Sequence, residues 1–197
     1  MSWKKLSSRV VFDNPWMTVL EDRVVNPGGG RNDYGHIRFK NRAVAIVPLD
    51  GAGNTWLVGQ DRYTLGAWSW ELPMGGAPLS ESPLDAAKRE LREETGLSAR
   101  VWKEIMRLHT SNSVTDECGV VFTAEQLLEG NTQFEETENI EVRKLPLAEC
   151  LDMIDRGEIT DAISVAALLC VARETNRRQT ASDDLANIAN ISTRVQP

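Results

Sequence analysis

GGAPLSESPLDAAKRELREETGL, residues Gly75 to Leu97, is the stretch whose reading decides the rest. Ser82 offers an N-cap, Pro83 suits the first helical position, and Asp85 completes a Ser-x-x-Asp pattern like a capping box. Gly96 supplies a left-handed stop. The spacing therefore predicts a helix over about Pro83 to Thr95. At about 100° per residue, Leu84, Ala87 and Leu91 gather on one arc and should face a sheet. Asp85, Lys88 and Arg92 lie opposite and should face water. Glu90, Glu93 and Glu94 take a third arc, with Glu90 and Glu94 beside the apolar one.

That third arc is costly. Like charges one helical turn apart repel, and partly desolvated carboxylates push each other's pKa upward unless a cation intervenes. Arg89, four residues before Glu93, is placed to neutralise one of them and not all three. A hard divalent cation suits the remainder, because Mg²⁺ prefers carboxylate and water oxygens and leaves positions open for substrate phosphates. Spacing alone leaves a plain solvated acidic face open as the alternative.

The bulk properties narrow the field. A length of 197 residues fits one globular domain with short extra segments, and a hydrophobic share of 41% is ordinary for a chain with a real core. A formal charge of −7 argues against a broad electrostatic hold on nucleic acid or an anionic membrane. Cys118, Cys150 and Cys170 lack metal-finger spacing and read as small hydrophobes in a reduced protein. No segment resembles a signal peptide or is long enough to span a bilayer, so a soluble, cytoplasmic chain is expected.

Around the helix, short strand-like runs and turns fill the first 40 residues: VVF, WMTVLEDRVV, the breaker Asn26-Pro27-Gly28-Gly29-Gly30, then DYGHIRFK. AVAIVPL reads as a strand covered on both faces, and a turn at Asp50 to Asn54 leads into TWLVGQDRY. The segment TLGAWSWELPMGG ends in a glycine pair. Beyond the helix come strands at VWKEIMRL, CGVVFTAEQL and IEVRKLPL, then helices near LAECLDMIDRG and TDAISVAALLCVARE. Ile163, Ala167 and Cys170 share one helical face, as core residues do. The expected division is an N-terminal β-region at 1–40, a catalytic domain at 41–173, and a polar tail at 174–197 that reads as a loose helix or disorder. The fold class is α/β.

The quoted stretch resembles the Nudix box, G-x5-E-x7-R-E-U-x-E-E-x-G-U with U aliphatic. Gly75, Glu81, Arg89, Glu90, Leu91, Glu93, Glu94, Gly96 and Leu97 meet its fixed positions. The resemblance implies an α/β/α sandwich and hydrolysis of nucleoside diphosphates linked to another group, with two or three Mg²⁺ ions, or Mn²⁺ in their place. It also implies roles: Glu90, Glu94 and the carbonyl of Met74 as metal ligands, Glu93 assisting the metals or the water, and Arg89 orienting the glutamates. Glu81 would support the site, and Gly75 would let a loop bend close to the metal.

The resemblance extends over roughly residues 3 to 172 and is similar to ADP-ribose and nucleotide-sugar pyrophosphatases. It implies an N-terminal β-region shared between two subunits, hence a homodimer. In the acidic loop EETEN, Glu136 becomes the candidate general base and Glu138 a further metal ligand. Arg62 is expected near the diphosphate, and Glu71, Trp68 and Trp70 at the substrate, with Trp16 another candidate for stacking on a base. His36 and His109 lack the partners of a zinc site and read as structural. HTSNSVTDE lacks the proline that ADP-ribose pyrophosphatases tend to carry there, which leaves nucleotide sugars open beside ADP-ribose. A dinucleoside polyphosphate or nucleoside triphosphate hydrolase, and a sensor that binds without cleaving, are the remaining alternatives.

Overall fold

The computed structural model describes residues 2–130 and 140–193, with side chains to residue 181 except 179. It begins with an antiparallel sheet of three strands, β1 (Lys4–Asp13), β2 (Met17–Val25) and β3 (Arg31–Phe39), in that order. The Asn26 turn between β2 and β3 needs a glycine, since Gly29 has φ 89°. β1 is much longer than the VVF run suggested. All ten of its residues are exposed, so burial leaves no pattern along them.

Two further sheets make the body. One has the order β7-β4-β9-β8 and the other β10-β5-β6. Their strands are β4 (Asn41–Leu49), β5 (Asn54–Arg62), β6 (Ala67–Glu71), β7 (Met74–Pro78), β8 (Ser98–His109), β9 (Cys118–Leu128) and β10 (Glu141–Pro146). The helices are α1 (Pro83–Thr95), α2 (Leu147–Asp155) and α3 (Ala162–Thr193). β4 runs parallel to β9 and antiparallel to β7, so the sheet is mixed.

The continuous apolar run in β4 has a direct cause. Val44 and Ile46 join a core cluster with Ala86, Ala87 and Leu91 of α1. Ala45 and Val47 join a second cluster with Cys150 and Met153 of α2 and Ile163 and Leu168 of α3. Successive side chains thus go to opposite faces, and both faces carry helices. Burying Leu91 alone contributes about 2 kcal/mol.

Two features differ from the sequence reading. The glycine pair lies within a strand, β7, where Gly75 pairs with Val44 and Gly76 with Ala43. The polar tail continues α3 to Thr193, so the helix crosses the expected boundary at residue 173 without a break. Among the described residues no helix is long and apolar enough to cross a membrane.

Two connections matter for the site. Leu72 and Pro73 carry the chain from β6 in one sheet to β7 in the other. The Leu72 N–H donates to the buried Ser164 Oγ at 2.9 Å, and the Pro73 carbonyl accepts from Ile46 N at 2.9 Å. The N-terminal sheet, in turn, grips the loop HTSNSVTDE. Ile37 N donates to Val114 O at 2.8 Å, Phe39 N to Asp116 Oδ1 at 2.8 Å, and Tyr34 Oη to Ser113 O at 2.6 Å.

Candidate active site

Helix α1 begins and ends as its sequence requires. Ser82 Oγ accepts from Asp85 N at 3.1 Å, and Gly96 closes the helix with φ 73°. Between these caps the three acids fall at the core's rim. Glu94 is only 2% exposed, and its Oε2 accepts from the Met74 N–H at 2.9 Å. Glu90 lies against β7: a Cβ on Gly75 would stand 2.1 Å from its carboxyl carbon. The glycine is there to make room for a carboxylate beside an extended strand, and not to bend a loop.

Arg89 does more than the i, i+4 pair with Glu93 would suggest. Its Nη1 donates to Glu90 Oε1 at 2.7 Å and Glu93 Oε2 at 3.0 Å. Its Nη2 donates to the Gly76 carbonyl at 2.9 Å and to Glu81 Oε2 at 3.2 Å. Burial disfavours the guanidinium charge, but the bonds to Glu81 and Glu90 outweigh it and hold the pKa above the usual arginine value. One planar cation thereby fixes Glu81, Glu90 and Glu93 together. Glu94 is held separately, by the strand backbone.

Beside this ledge lies a cavity of about 430 Å³, whose lining includes Arg62, Ser69, Glu71, Met74, Thr160 and Asp161. Arg62 donates Nε and Nη2 to the two oxygens of Glu71 at 3.0 and 2.5 Å. That paired contact, with further attraction from Glu71, Glu94 and Asp161, raises the pKa of Arg62 against the cost of its burial.

The Nudix domain profile matches residues 39–168, and the nucleoside diphosphate sugar hydrolase N-terminal domain matches residues 3–37. The chain belongs to the Nudix family. It is a Nudix hydrolase, a pyrophosphatase. It is similar to the ADP-ribose pyrophosphatase of Mycobacterium tuberculosis, with 35% identity over 86% of this chain and 83% of that one. It is similar also to the ADP-ribose pyrophosphatase of Bacillus subtilis, with 29% identity over 84% of this chain and 90% of that one. Its fold matches the crystal structure of an ADP compounds hydrolase with a TM-score of 0.81, over 91% of this chain and 96% of the other, at 24% identity.

The donor set of this Nudix ledge suits a hard divalent ion in type. Glu90, Glu93 and Glu94 offer carboxylate oxygens, one fixed by the Met74 N–H and one seated in the gap left by Gly75. Among the described residues no three acidic, histidine or cysteine side chains converge into a cage on their own. Arg89 draws Glu90 and Glu93 toward itself instead. Glu136 and Glu138 lie outside the described residues.

The expected substrate group is divided by the pleat of β6. Ser69 and Glu71 pair with Gln60 and Val58 and point one way, toward the cavity. Trp68 and Trp70 pair with Asp61 and Gly59 and point the other way. Both indoles pack over Gly59, whose added Cβ would fall 2.7 Å from each ring. Trp70 is 8% exposed with Arg143 stacked on it at 4.2 Å, so it is a core residue with no open face. Trp68 and Trp16 remain exposed. His36 is engaged with Asp22, whose carboxyl is held low first by the Ser8 hydroxyl and then by His36. The sequence reading missed Ser69, although its alternation with Glu71 in SWE marks it as a residue of the cavity face.

Proposed function

We propose that the chain hydrolyses the pyrophosphate bond of a nucleoside diphosphate sugar or of ADP-ribose, releasing a nucleoside monophosphate and a sugar phosphate. The observation that carries this reading is the ledge. Three glutamates of α1 are held in place, one of them by the N–H of Met74, which lines the neighbouring cavity together with Arg62. The matched N-terminal domain, and the names of the relatives from M. tuberculosis and B. subtilis, support the substrate class.

Glu90, Glu94 and the Met74 carbonyl would hold Mg²⁺ or Mn²⁺, with Glu138 as a further ligand. Bound there, the ions would offset the repulsion between diphosphate and carboxylates and make water easier to deprotonate. Arg89 keeps Glu90 and Glu93 from swinging away from the ledge. Glu93 or Glu136 takes the proton of the attacking water. Arg62 uses two N–H groups on Glu71 and leaves Nη1 for an oxygen of the diphosphate. Glu81 and Gly96 act through Arg89 and the end of α1.

A homodimer is part of the same reading. Trp3, Leu6, Val10, Val11 and Phe12 are all about half exposed in or beside β1, and Trp16 is 68% exposed. Such a strip along an edge strand fits a second copy of the chain. A cytoplasmic setting is consistent with three free cysteines.

The test is a panel of ADP-ribose, ADP-glucose, GDP-mannose, NADH and a dinucleoside polyphosphate, with products identified, for the native chain and for Glu90→Gln and Glu94→Gln. Loss of an outer-shell partner typically costs 10–100-fold, so each variant should lose about 100-fold or more in turnover while remaining folded. Full activity in both variants, or cleavage of the polyphosphate alone, would overturn the proposal.

A further inference from the structure

We propose that the cavity beside Arg62 receives the sugar end of the substrate, with Ser69, Thr160 and Asp161 selecting a polyhydroxylated group beyond the diphosphate. This rests on the nucleotide-sugar reading above.

Three observations converge on it. First, Ser69 lines the cavity and is 4% exposed, so its hydroxyl, both a donor and an acceptor, is part of the cavity wall. A hydroxyl in such a wall can exchange hydrogen bonds with a ligand or a water in the cavity. Second, the charges exclude a further anion. The cation of Arg62 is matched by Glu71, and Asp161 adds a negative charge to the same lining. Asp161 spends Oδ2 on the Ser164 N–H at 2.7 Å, which leaves Oδ1 as an acceptor for a hydroxyl. Third, the lining holds no aromatic ring, because the pleat turns Trp68 and Trp70 to the opposite face. A nucleobase would find nothing to stack on.

A neutral group rich in hydroxyls satisfies all three conditions. It donates to Asp161, exchanges hydrogen bonds with Ser69, and meets the hydroxyls of Thr64 and Thr160 at the mouth. The volume falls within the usual range for a small-molecule pocket. Met74 lines the cavity and its N–H holds Glu94, so a sugar lodged there stands next to the carboxylate ledge.

The experiment compares ADP-ribose with the methyl ester of ADP, which has the same diphosphate and no sugar beyond it. Ser69→Ala and Thr160→Val should each lower the ratio of kcat/KM for ADP-ribose over the methyl ester by about 3- to 10-fold, the worth of one neutral hydrogen bond. An unchanged ratio for both variants overturns the proposal. A second measurement needs no turnover. Titrating ¹⁵N-labelled protein with ribose 5-phosphate should shift the amides of Ser69, Thr160 and Asp161, and Ser69→Ala should weaken the effect. Equal shifts with inorganic phosphate alone, or shifts confined to the N-terminal sheet, refute it. A native chain that binds ribose 5-phosphate here but cleaves no conjugate sinks the hydrolase reading and leaves this one standing.

Discussion

The gap at Gly75 permits a sharp test, because one methyl group should separate the position of a carboxylate from the stability of the fold. In Gly75→Ala the new Cβ would lie 2.1, 2.2 and 2.4 Å from Cδ, Oε1 and Oε2 of Glu90. Non-bonded heavy atoms rest at roughly 3.5 Å, so the carboxylate must withdraw by about 1 Å or more. Glu90 is the far end of a flexible side chain and swings away without disturbing the backbone. Gly75 is also in a strand and is not among the glycines with positive φ, so alanine meets no backbone strain. The melting temperature should therefore move by no more than about 3 °C.

Function should not be so tolerant. A displacement of about 1 Å at a reacting centre costs on the order of 100-fold, and Arg89 would follow Glu90 because the two are bonded at 2.7 Å. The assay is kcat/KM for ADP-ribose together with the Mg²⁺ concentration at half-maximal rate, which should rise. Gly76→Ala is the control. Its Cβ would meet the side chain of Asn41, with the amide nitrogen at 2.7 Å, and no carboxylate. Native activity and an unchanged Mg²⁺ requirement in Gly75→Ala would refute the idea that the gap exists for Glu90. So would a large loss of stability, which would make the gap a packing feature alone.

Three other outcomes follow from the same geometry. Arg89→Lys keeps the charge but not the planar fork that serves Glu81, Glu90, Glu93 and the Gly76 carbonyl, so activity should fall about 10- to 100-fold with the fold retained; steady-state kinetics and circular dichroism read both. Gly59→Ala should behave in the opposite way, because the methyl group meets two rigid indoles; a loss of about 1–3 kcal/mol in urea unfolding is expected, with an unchanged Mg²⁺ requirement. Cys150 has its thiol pushed up to about 11 from 9.0, first by burial and then by Glu149. Above pH 9 the unfolded chain releases that proton first, so stability should decline between about pH 9 and 11, and Cys150→Ala should flatten that part of the urea-midpoint profile.

Much of this was legible because local rules decide it. The caps of α1 are set by Ser82 and Gly96, and the arc of glutamates follows from helical spacing alone. AVAIVPL revealed a strand between two layers because both faces of β4 are apolar. Where burial gives no pattern, the sequence was silent. β1 exposes every residue, and only its pairing with β2 makes it a strand. β7 contains two glycines that read as a bend, yet one of them serves a contact with a residue on α1. The grip of β3 on Ser113, Val114 and Asp116 joins segments nearly 80 residues apart, and no local pattern encodes such a contact.

The same limit explains why the expected substrate residues do not share one surface, whereas the arc of glutamates on α1 follows its helical spacing. Arg62, Trp68, Trp70 and Glu71 lie within ten positions of each other, and closeness in sequence suggested one surface. In a strand, closeness in sequence places neighbours on opposite faces, so Glu71 reaches Arg62 while Trp70 turns into the core. What gathers the site is the crossing at Leu72 and Pro73. On its near side Glu71 fixes Arg62 within one sheet, and on its far side Met74 fixes Glu94 against the other. Ser164, from the first turn of α3, clamps the crossing between them through the Leu72 N–H. Glu71, which fixes Arg62, and Met74, which fixes Glu94, thus stand three residues apart in the chain, and α3 holds the crossing between them through Ser164, so that a helix with no residue on the ledge still positions what lies on either side of it.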